Sequence, residues 1–375
     1  MANQPVCCHS ERKRGIFLDL KIRSALHLNR CRFSIEASRP PGGFMRSVMY
    51  RVGISLPLLF FFSFPLTAIS HAQSLKKVRM GSSSTNVSFL ALYTALHRGF
   101  FKDEGIDLEI IYMPANLAST AVLNGDIDYN GAVTGTIGAA VRGQPIKVLL
   151  FTVAKPFLFL VSKKDIKDVK QLRGKKVAGS SPGGSATLIA DKVLKHYGLE
   201  PGRDVSLLPM GGSAAGRFAV LDTGVVDASF LSVPENIFAL EKGYNELVFA
   251  GDVVEFPQNG FGTSEKKIRE NPDEVYRMVR ATLRGLQFVW DRNNHEAVVN
   301  VLMKQWKIND PKVAAEMFRH VTRVLTKDAY VKPESVQVLI DLARESAKVT
   351  KAVSTADVVD YSFVDKARKD LGMTR

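Results

Sequence analysis

Cysteine is missing from most of this chain. Its three cysteines, Cys7, Cys8 and Cys31, all fall in the first 31 of 375 residues. From Gln73 onward the chain can therefore form no disulfide, no thiolate metal site and no cysteine nucleophile. It also lacks G-x-x-x-x-G-K-[ST], so it is not a P-loop ATPase. The polar stretch Gly81-Ser82-Ser83-Ser84-Thr85 lacks the second glycine of G-x-S-x-G, which sets a serine hydrolase aside at that loop. His97, His196, His295 and His320 lie singly on helical stretches, the pattern of surface or satisfied residues and not of metal ligands. No basic block interleaved with aromatics occurs, which argues against nucleic acid as a partner.

Charge and long apolar runs are concentrated at the start. Residues 1–72 hold ten Lys/Arg against Glu11, Asp19 and Glu36, so +7 of the formal +14 lies there and +7 is spread over residues 73–375. Arg46 and Arg51 precede the uncharged run 52–69, which ends in Ser70-His71-Ala72. A positive segment, an apolar core and a small-x-small site read as a secretory signal over 45–72, in preference to a transmembrane anchor. Residues 1–44 have no hydrophobic period and read as an over-extended start or a disordered leader. The expected location is the periplasm.

What is present from residue 73 is αβ alternation, and 46% hydrophobic residues are enough for one or two sizeable cores. The central unit is 172–199, in which Val177 and Ala178 end a strand and 180–185 is a Ser/Gly turn. Leu188, Ile189, Val193, Leu194 and Tyr197 then recur at helical spacing until Gly198. Unpaired N–H groups and the helix dipole make such a unit a cradle for an anionic or polar group. Strand and helix patterns alternate over 77–153 and again from about 169 to 250, each implying a parallel sheet with helices on its faces. The stretches 121–128 and 219–227 echo one another, each a helix end, a glycine stop and an acid-flanked strand. The last third is helical. Asn271-Pro272-Asp273-Glu274 and Asp310-Pro311 read as helix starts, and Trp290 and Trp306 as core.

Four pieces in this order carry a resemblance: 99–106 (GFFKDEGI), 124–128 (NGDID), 172–177 (LRGKKV) and 221–228 (LDTGVVDA). With them the chain resembles the periplasmic substrate-binding proteins of ABC importers for nitrate, taurine and aliphatic sulfonates, which share the thiamine-pyrimidine-synthase-like fold. The resemblance implies an α/β, two-lobed periplasmic binding protein of type II (Venus-flytrap) with a C-terminal helical brace. Lobe I would comprise 73–155 and 262–375, and lobe II 156–261 with the crossings near 154–161 and 254–263. Four loops and one crossing would face the cleft: Ser83, Ser84, Thr85 and Asn86; Thr134, Gly135 and Thr136; Ser181, Gly183, Gly184, Ser185, Ala186 and Thr187; Ser232; and Asn259. Arg142, Arg217 and Lys155 are the cations nearest these loops, and none is assigned to the ligand. The implied function is capture of a small polar or anionic ligand by hinge closure. The closed form would be delivered to permease subunits with a separate ATPase, by a monomer with no cofactor and no catalytic residues. A pyrimidine-synthase-like enzyme on the same fold and a sensing module not coupled to transport are the alternatives. The resemblance leaves open which ligand is taken, whether sulfonate, nitrate, carboxylate, aromatic acid or pyrimidine.

Overall fold

A computed structural model describes residues 74–82, 86–180, 184–210 and 213–373. The proposed signal and leader, and the expected site residues Ser83, Ser84, Thr85, Ser181 and Gly183, lie outside the described residues.

In chain order the first series is β1 (Lys76–Ser82), α1 (Leu90–His97), α2 (Phe100–Asp103), β2 (Ile106–Tyr112), α3 (Ala115–Asn124), β3 (Tyr129–Asn130), α4 (Val133–Val141) and β4 (Ile146–Val153). The second is β5 (Phe159–Ser162), β6 (Lys176–Gly179), α5 (Ser185–His196), β7 (Ser206–Pro209), α6 (Ala214–Asp222), β8 (Ala228–Leu231), α7 (Glu235–Glu241) and β9 (Asn245–Phe249). The chain returns through β10 (Asn259–Ser264) to α8 (Glu265–Glu270), α9 (Pro272–Trp290), α10 (His295–Trp306), α11 (Pro311–Thr322), α12 (Pro333–Ala347), α13 (Thr355–Val358) and α14 (Ser362–Asp370).

The two sheets have the same plan, β2-β1-β3-β10-β4 and β7-β6-β8-β5-β9. In each, the three strands β2-β1-β3 or β7-β6-β8 are parallel, as the alternation predicts. The fourth strand is the departure from that expectation. β10 and β5 each enter from the other half of the chain and run antiparallel to both neighbours, so each sheet is mixed. A strand arriving from the opposite lobe enters its new sheet from the carboxyl edge, so its direction is reversed. β10 is squeezed between β3 and β4 with two register shifts against β4, and at positions 260 and 262 only glycine fits. A Cβ on Gly260 would lie 2.0 Å from the Leu150 carbonyl oxygen, and one on Gly262 would lie 2.3 Å from that of Lys147.

The sequence echo has a structural duty. Asp128 Oδ2 accepts from the Arg79 N–H at 2.8 Å while Asp128 N donates to Arg79 O at 2.8 Å. In the second sheet Asp227 Oδ2 accepts from Lys176 N at 2.9 Å and Asp227 N donates to Lys176 O at 2.8 Å. Each aspartate thus locks a short inner strand to its parallel neighbour, and each is paired with a lysine, Lys267 and Lys163 respectively.

The crossings at 154–158 and 250–258 are bound to one another. Gln258 N donates to Val153 O at 3.1 Å, and Gln258 Oε1 accepts from Phe157 N at 2.6 Å. The helical brace fixes this place further, because Thr326 Oγ1 donates to Phe151 O at 2.8 Å and Ala154 N donates to Val324 O at 2.8 Å. Residues 262–375, expected to belong to lobe I, also reach the second sheet. Met317 and Val321 of α11 share a core with Phe159 and Phe249, and Val336, Leu339 and Ile340 of α12 share one with Leu160 and Ile189.

Two helix starts separate the capping expectations. Asp310 accepts from Lys312 N at 2.8 Å with Pro311 at the first helical position, as the sequence implies. Asn271 provides no side-chain cap to α9; its amide oxygen instead accepts from Lys76 Nζ at 3.4 Å. Glu274 is drawn into a buried network beneath the first sheet. It is 2% exposed, its Oε1 is 2.6 Å from Lys267 Nζ and accepts from Tyr129 OH at 3.1 Å, and its Oε2 is 2.5 Å from Lys76 Nζ. Burial, then the Glu274 charge, raises the Tyr129 pKa well above its ordinary value, so the phenol stays a donor.

His320 of α11 is 8% exposed and lies edge-on to Phe159 with ring centroids 5.3 Å apart. Burial holds its pKa below the ordinary 6.5, opposed by Glu316, whose Oε1 is 2.9 Å from Nε2; Arg319 and Arg323 add to the lowering. Above pH 6.5 both folded and unfolded states carry neutral imidazole. As pH falls below 6.5 the unfolded chain takes the proton first, so this contribution to stability is lost with falling pH. Urea midpoints measured from pH 7.5 to 5 are therefore expected to fall more steeply for the wild type than for His320→Phe. Parallel slopes would disprove the assignment.

Candidate functional site

The loops expected to face the cleft follow the carboxyl ends of β1, β3, β6 and β8, where open α/β sheets hold ligands. Several of the expected residues serve the scaffold. Asn86 caps the short 3-10 turn Val87–Phe89 by accepting from Ser88 N at 3.1 Å, and Ser88 Oγ donates to the same oxygen. Asn259 Nδ2 donates to Ser88 Oγ at 2.8 Å, so Asn86, Ser88 and Asn259 form a chain from the first loop to the start of β10. Thr136 is fully buried and its Oγ1 donates to Ala132 O at 3.2 Å. Ala186 lies in the core at 3% exposure. Ser232 is 1% exposed and its Oγ donates to Glu235 Oε2 at 3.4 Å.

Thr134, Gly135 and Gly184 are brought together on the wall of one cavity of about 320 Å³. Its other walls are Ala115, Arg142, Leu188 and the inner side of α12, including Leu339, Leu342, Ala343 and Ser346. The first residues of three helices therefore meet there, α3 at Ala115, α4 at Thr134 and Gly135, and α5 at Gly184. Their N-cap residues, Pro114, Ala132 and Gly184, make no side-chain cap bond. Ser213 on α6, Ser264 on α8 and Asp310 on α11 make such caps, while α1, α7, α9, α10, α12 and α14 also begin without one. Helix starts without a capping side chain leave N–H groups and a partial positive charge for an anion to satisfy. At α5 part of this demand is met internally. Thr187 N donates to Ser180 Oγ at 3.3 Å, and Thr187 Oγ1 donates to Ser180 O at 3.1 Å. Ser185, half-buried, follows Gly184 at the first helical position.

Arg142 supplies a full positive charge to the same space. It folds back along α4 over Gly138, whose Cβ position would be 3.6 Å from Nη1. Sequence order leaves Arg142 at the wrong end of α4 for the expected loop, and α12 is more than 190 residues from that loop. Neither has a local motif that would reveal it. The only readable hint is the glycine one turn ahead of the arginine.

Gly135 has a steric role as well as its place on the wall. A Cβ there would come 2.6 Å from the Ala115 carbonyl oxygen and 3.2 Å from its Cβ. Gly135→Ala is thus expected to force α3 and α4 apart and to cost about 1–3 kcal/mol of stability in urea unfolding. An unchanged midpoint would show that α3 yields freely.

Arg217 and Glu235 flank the second lobe's carboxyl edge. Arg217 is 6% exposed and its Nε donates to Phe230 O at 2.9 Å; burial lowers its pKa, opposed first by Glu235 and then by Tyr112. Burial raises the Glu235 pKa.

The hydrolase signature absent at residues 81–85 does occur at Gly179-Ser180-Ser181-Pro182-Gly183, on the turn from β6 to α5. Ser181 lies outside the described residues, but the described histidines are engaged elsewhere. His97 Nε2 is 2.8 Å from Gln305 Oε1, His196 packs on Tyr197, His295 on Phe318, and His320 on Phe159. None of these four contacts involves the segment between β6 and α5.

The NMT1/THI5-like family pattern matches residues 86–297. The Bacillus subtilis protein YtlA is 24% identical over 335 residues, covering 85% of this chain and 98% of its own. The Escherichia coli periplasmic aliphatic sulphonate binding protein SsuA superposes with a TM-score of 0.59 at 19% identity, over 76% of this chain and 92% of its own. The periplasmic nitrate-binding protein NrtA of Synechocystis PCC 6803 superposes with a TM-score of 0.63 at 15% identity, over 80% of this chain and 90% of its own. The chain has the α/β fold of periplasmic binding proteins, with two mixed sheets and substantial helix.

Proposed function

This chain belongs to the NMT1/THI5-like family, and from that premise we propose that it is the extracytoplasmic substrate-binding component of an ABC importer. It captures a small anionic ligand between its two lobes and hands it to permease subunits driven by a separate ATPase. The observation that carries this reading is the meeting of three helix starts without capping side chains, from both halves of the molecule, with Arg142 at one cavity. Electrostatics of this kind suit a ligand that exchanges its hydration shell for backbone N–H groups.

The mechanism is lobe closure. An anion held first on one set of helix starts gains contacts with the other set when the crossings at 154–158 and 250–258 bend. Only a ligand that touches both lobes shifts the equilibrium toward the closed form, because equal affinity for two states shifts nothing. The alternative enzyme reading implies a cysteine cluster, and the cysteine-free stretch from residue 73 supports a binder instead. Thermal-shift and calorimetric titrations with sulfonates, nitrate and carboxylates test the proposal. Stabilisation by anions and not by their neutral analogues is expected. A chain that melts at one temperature whatever anion is present would refute it.

A further inference from the structure

Each crossing contains a short piece that the backbone ladders of neither sheet hold. On the first-sheet side Thr326 N donates to Thr152 O at 2.9 Å, and Ala154 N to Val324 O at 2.8 Å. The second crossing is tied to the same side through Gln258 N, which donates to Val153 O at 3.1 Å, and through the bond from Asn259 to Ser88. On the second-sheet side Ala250 N donates to Leu158 O at 2.8 Å, and Val254 N to Ala250 O at 2.9 Å. Between these anchors the backbones of Lys155, Pro156, Glu255, Phe256 and Pro257 make no hydrogen bond to any described residue. A change of lobe angle falls on 155–157 and 255–257, because only there can the backbone turn without breaking a backbone–backbone bond. Pro156 and Pro257 fix φ at their own positions, so few dihedrals carry the motion.

One side chain spans these two pieces. Phe157 N donates to Gln258 Oε1 at 2.6 Å, so Gln258 grips the first crossing at both ends of Lys155-Pro156, by its backbone at Val153 and by its amide at Phe157. Gln258 is 6% exposed and Phe157 fully buried, so water cannot take over that N–H if the amide is removed. The two ties differ in stiffness. The backbone bond is fixed in place, whereas the side-chain torsions of Gln258 let Phe157 swing relative to Val153 without parting from the second crossing. Crossings joined in this way bend together. Crossings that bend separately also let the lobes twist, and a ligand that must touch both lobes then meets a smaller fraction of competent molecules.

We propose that Gln258 is the positioning residue of closure, coupling the two crossings so that they bend as one and thereby setting the affinity of a site it does not touch. This rests on the binding role proposed above and adds its control. The test uses the full chain, calorimetry with methanesulfonate, benzoate and nitrate, and the fall in radius of gyration on binding measured by small-angle X-ray scattering. Gln258→Met keeps the length of the side chain and loses the amide; it is expected to weaken anion affinity about 10-fold and to shrink the fall in radius of gyration. Gln258→Glu keeps an acceptor oxygen for Phe157 and is expected to stay within about 2-fold of the wild type. Thr326→Val is the control for a purely structural role. Thr326 is 5% exposed and its hydroxyl bond to Phe151 O lies wholly on the first-sheet side, so its loss should lower the urea midpoint and leave affinity unchanged. An unaltered affinity in Gln258→Met, or an equal loss in Thr326→Val, would overturn the assignment to Gln258 and leave the anion-binding role standing. Wild-type protein that binds none of the three anions would overturn both. Hydrogen exchange of the Phe157 amide in the wild type needs no variant. It should be slow with and without anion, and fast exchange in either state would also overturn the coupling.

Discussion

Gly184→Phe is expected to abolish stabilisation by any anion while leaving the fold intact. Gly184 has φ −73° and ψ 155°, a conformation open to every L-residue, so the substitution introduces no backbone strain. The added ring enters a cavity of only about 320 Å³ and covers the first N–H groups of α5. At 100 times its Kd a ligand adds about 2.7 kcal/mol to the folded state. In a chain of this size that corresponds to a rise in melting temperature of roughly 3–5 °C. In Gly184→Phe this rise should vanish, with the ligand-free melting temperature near that of the wild type. Gly184→Ala, which adds one methyl group, should keep most of it. A Phe variant that still gains the full shift would remove the start of α5 from the site, and the proposed function would lose its second lobe.

The second large effect concerns stability alone. Glu274→Ala is expected to destabilise the chain by about 3–5 kcal/mol, because it leaves Lys267 without one of its two carboxylate partners and the Tyr129 hydroxyl without an acceptor. Lys267 is 14% exposed and Tyr129 fully buried, so water replaces little of what is lost. Glu274→Gln, which keeps an acceptor for Tyr129 but not the charge, should cost less. A midpoint in chemical unfolding that barely moves in Glu274→Ala would show that Asp128 alone satisfies Lys267. Neither variant touches the cavity, so anion affinity is expected to be unaltered in both.

Much of the scaffold is legible in the order of residues. The period of Ile189, Val193 and Leu194, with Gly198 as the stop, sets the buried face of α5, and all three side chains are fully buried. The echo of Asp128 in Asp227 marks two related halves, and both residues perform the same backbone lock. Asp310-Pro311 signals a helix start where one lies. Hydroxyl-rich loops are less informative. Thr136 and Ser232 satisfy neighbouring protein groups, and nothing local distinguishes a hydroxyl that bonds its own backbone from one that awaits a ligand. Asn271 looks like a helix cap but contributes none, because Lys76, far away in the chain, takes its amide oxygen.

The chain's local chemistry determined which segments become strands and helices, where helices begin, and that from residue 73 no thiol chemistry is possible. These follow from side-chain periodicity and composition, which act over a few residues. The tertiary structure alone decided that β10 and β5 cross between sheets, and that α12 and Arg142 wall the cavity. Each depends on residues that meet only when segments distant in sequence pack together, and the free energy of such meetings is written in no local pattern.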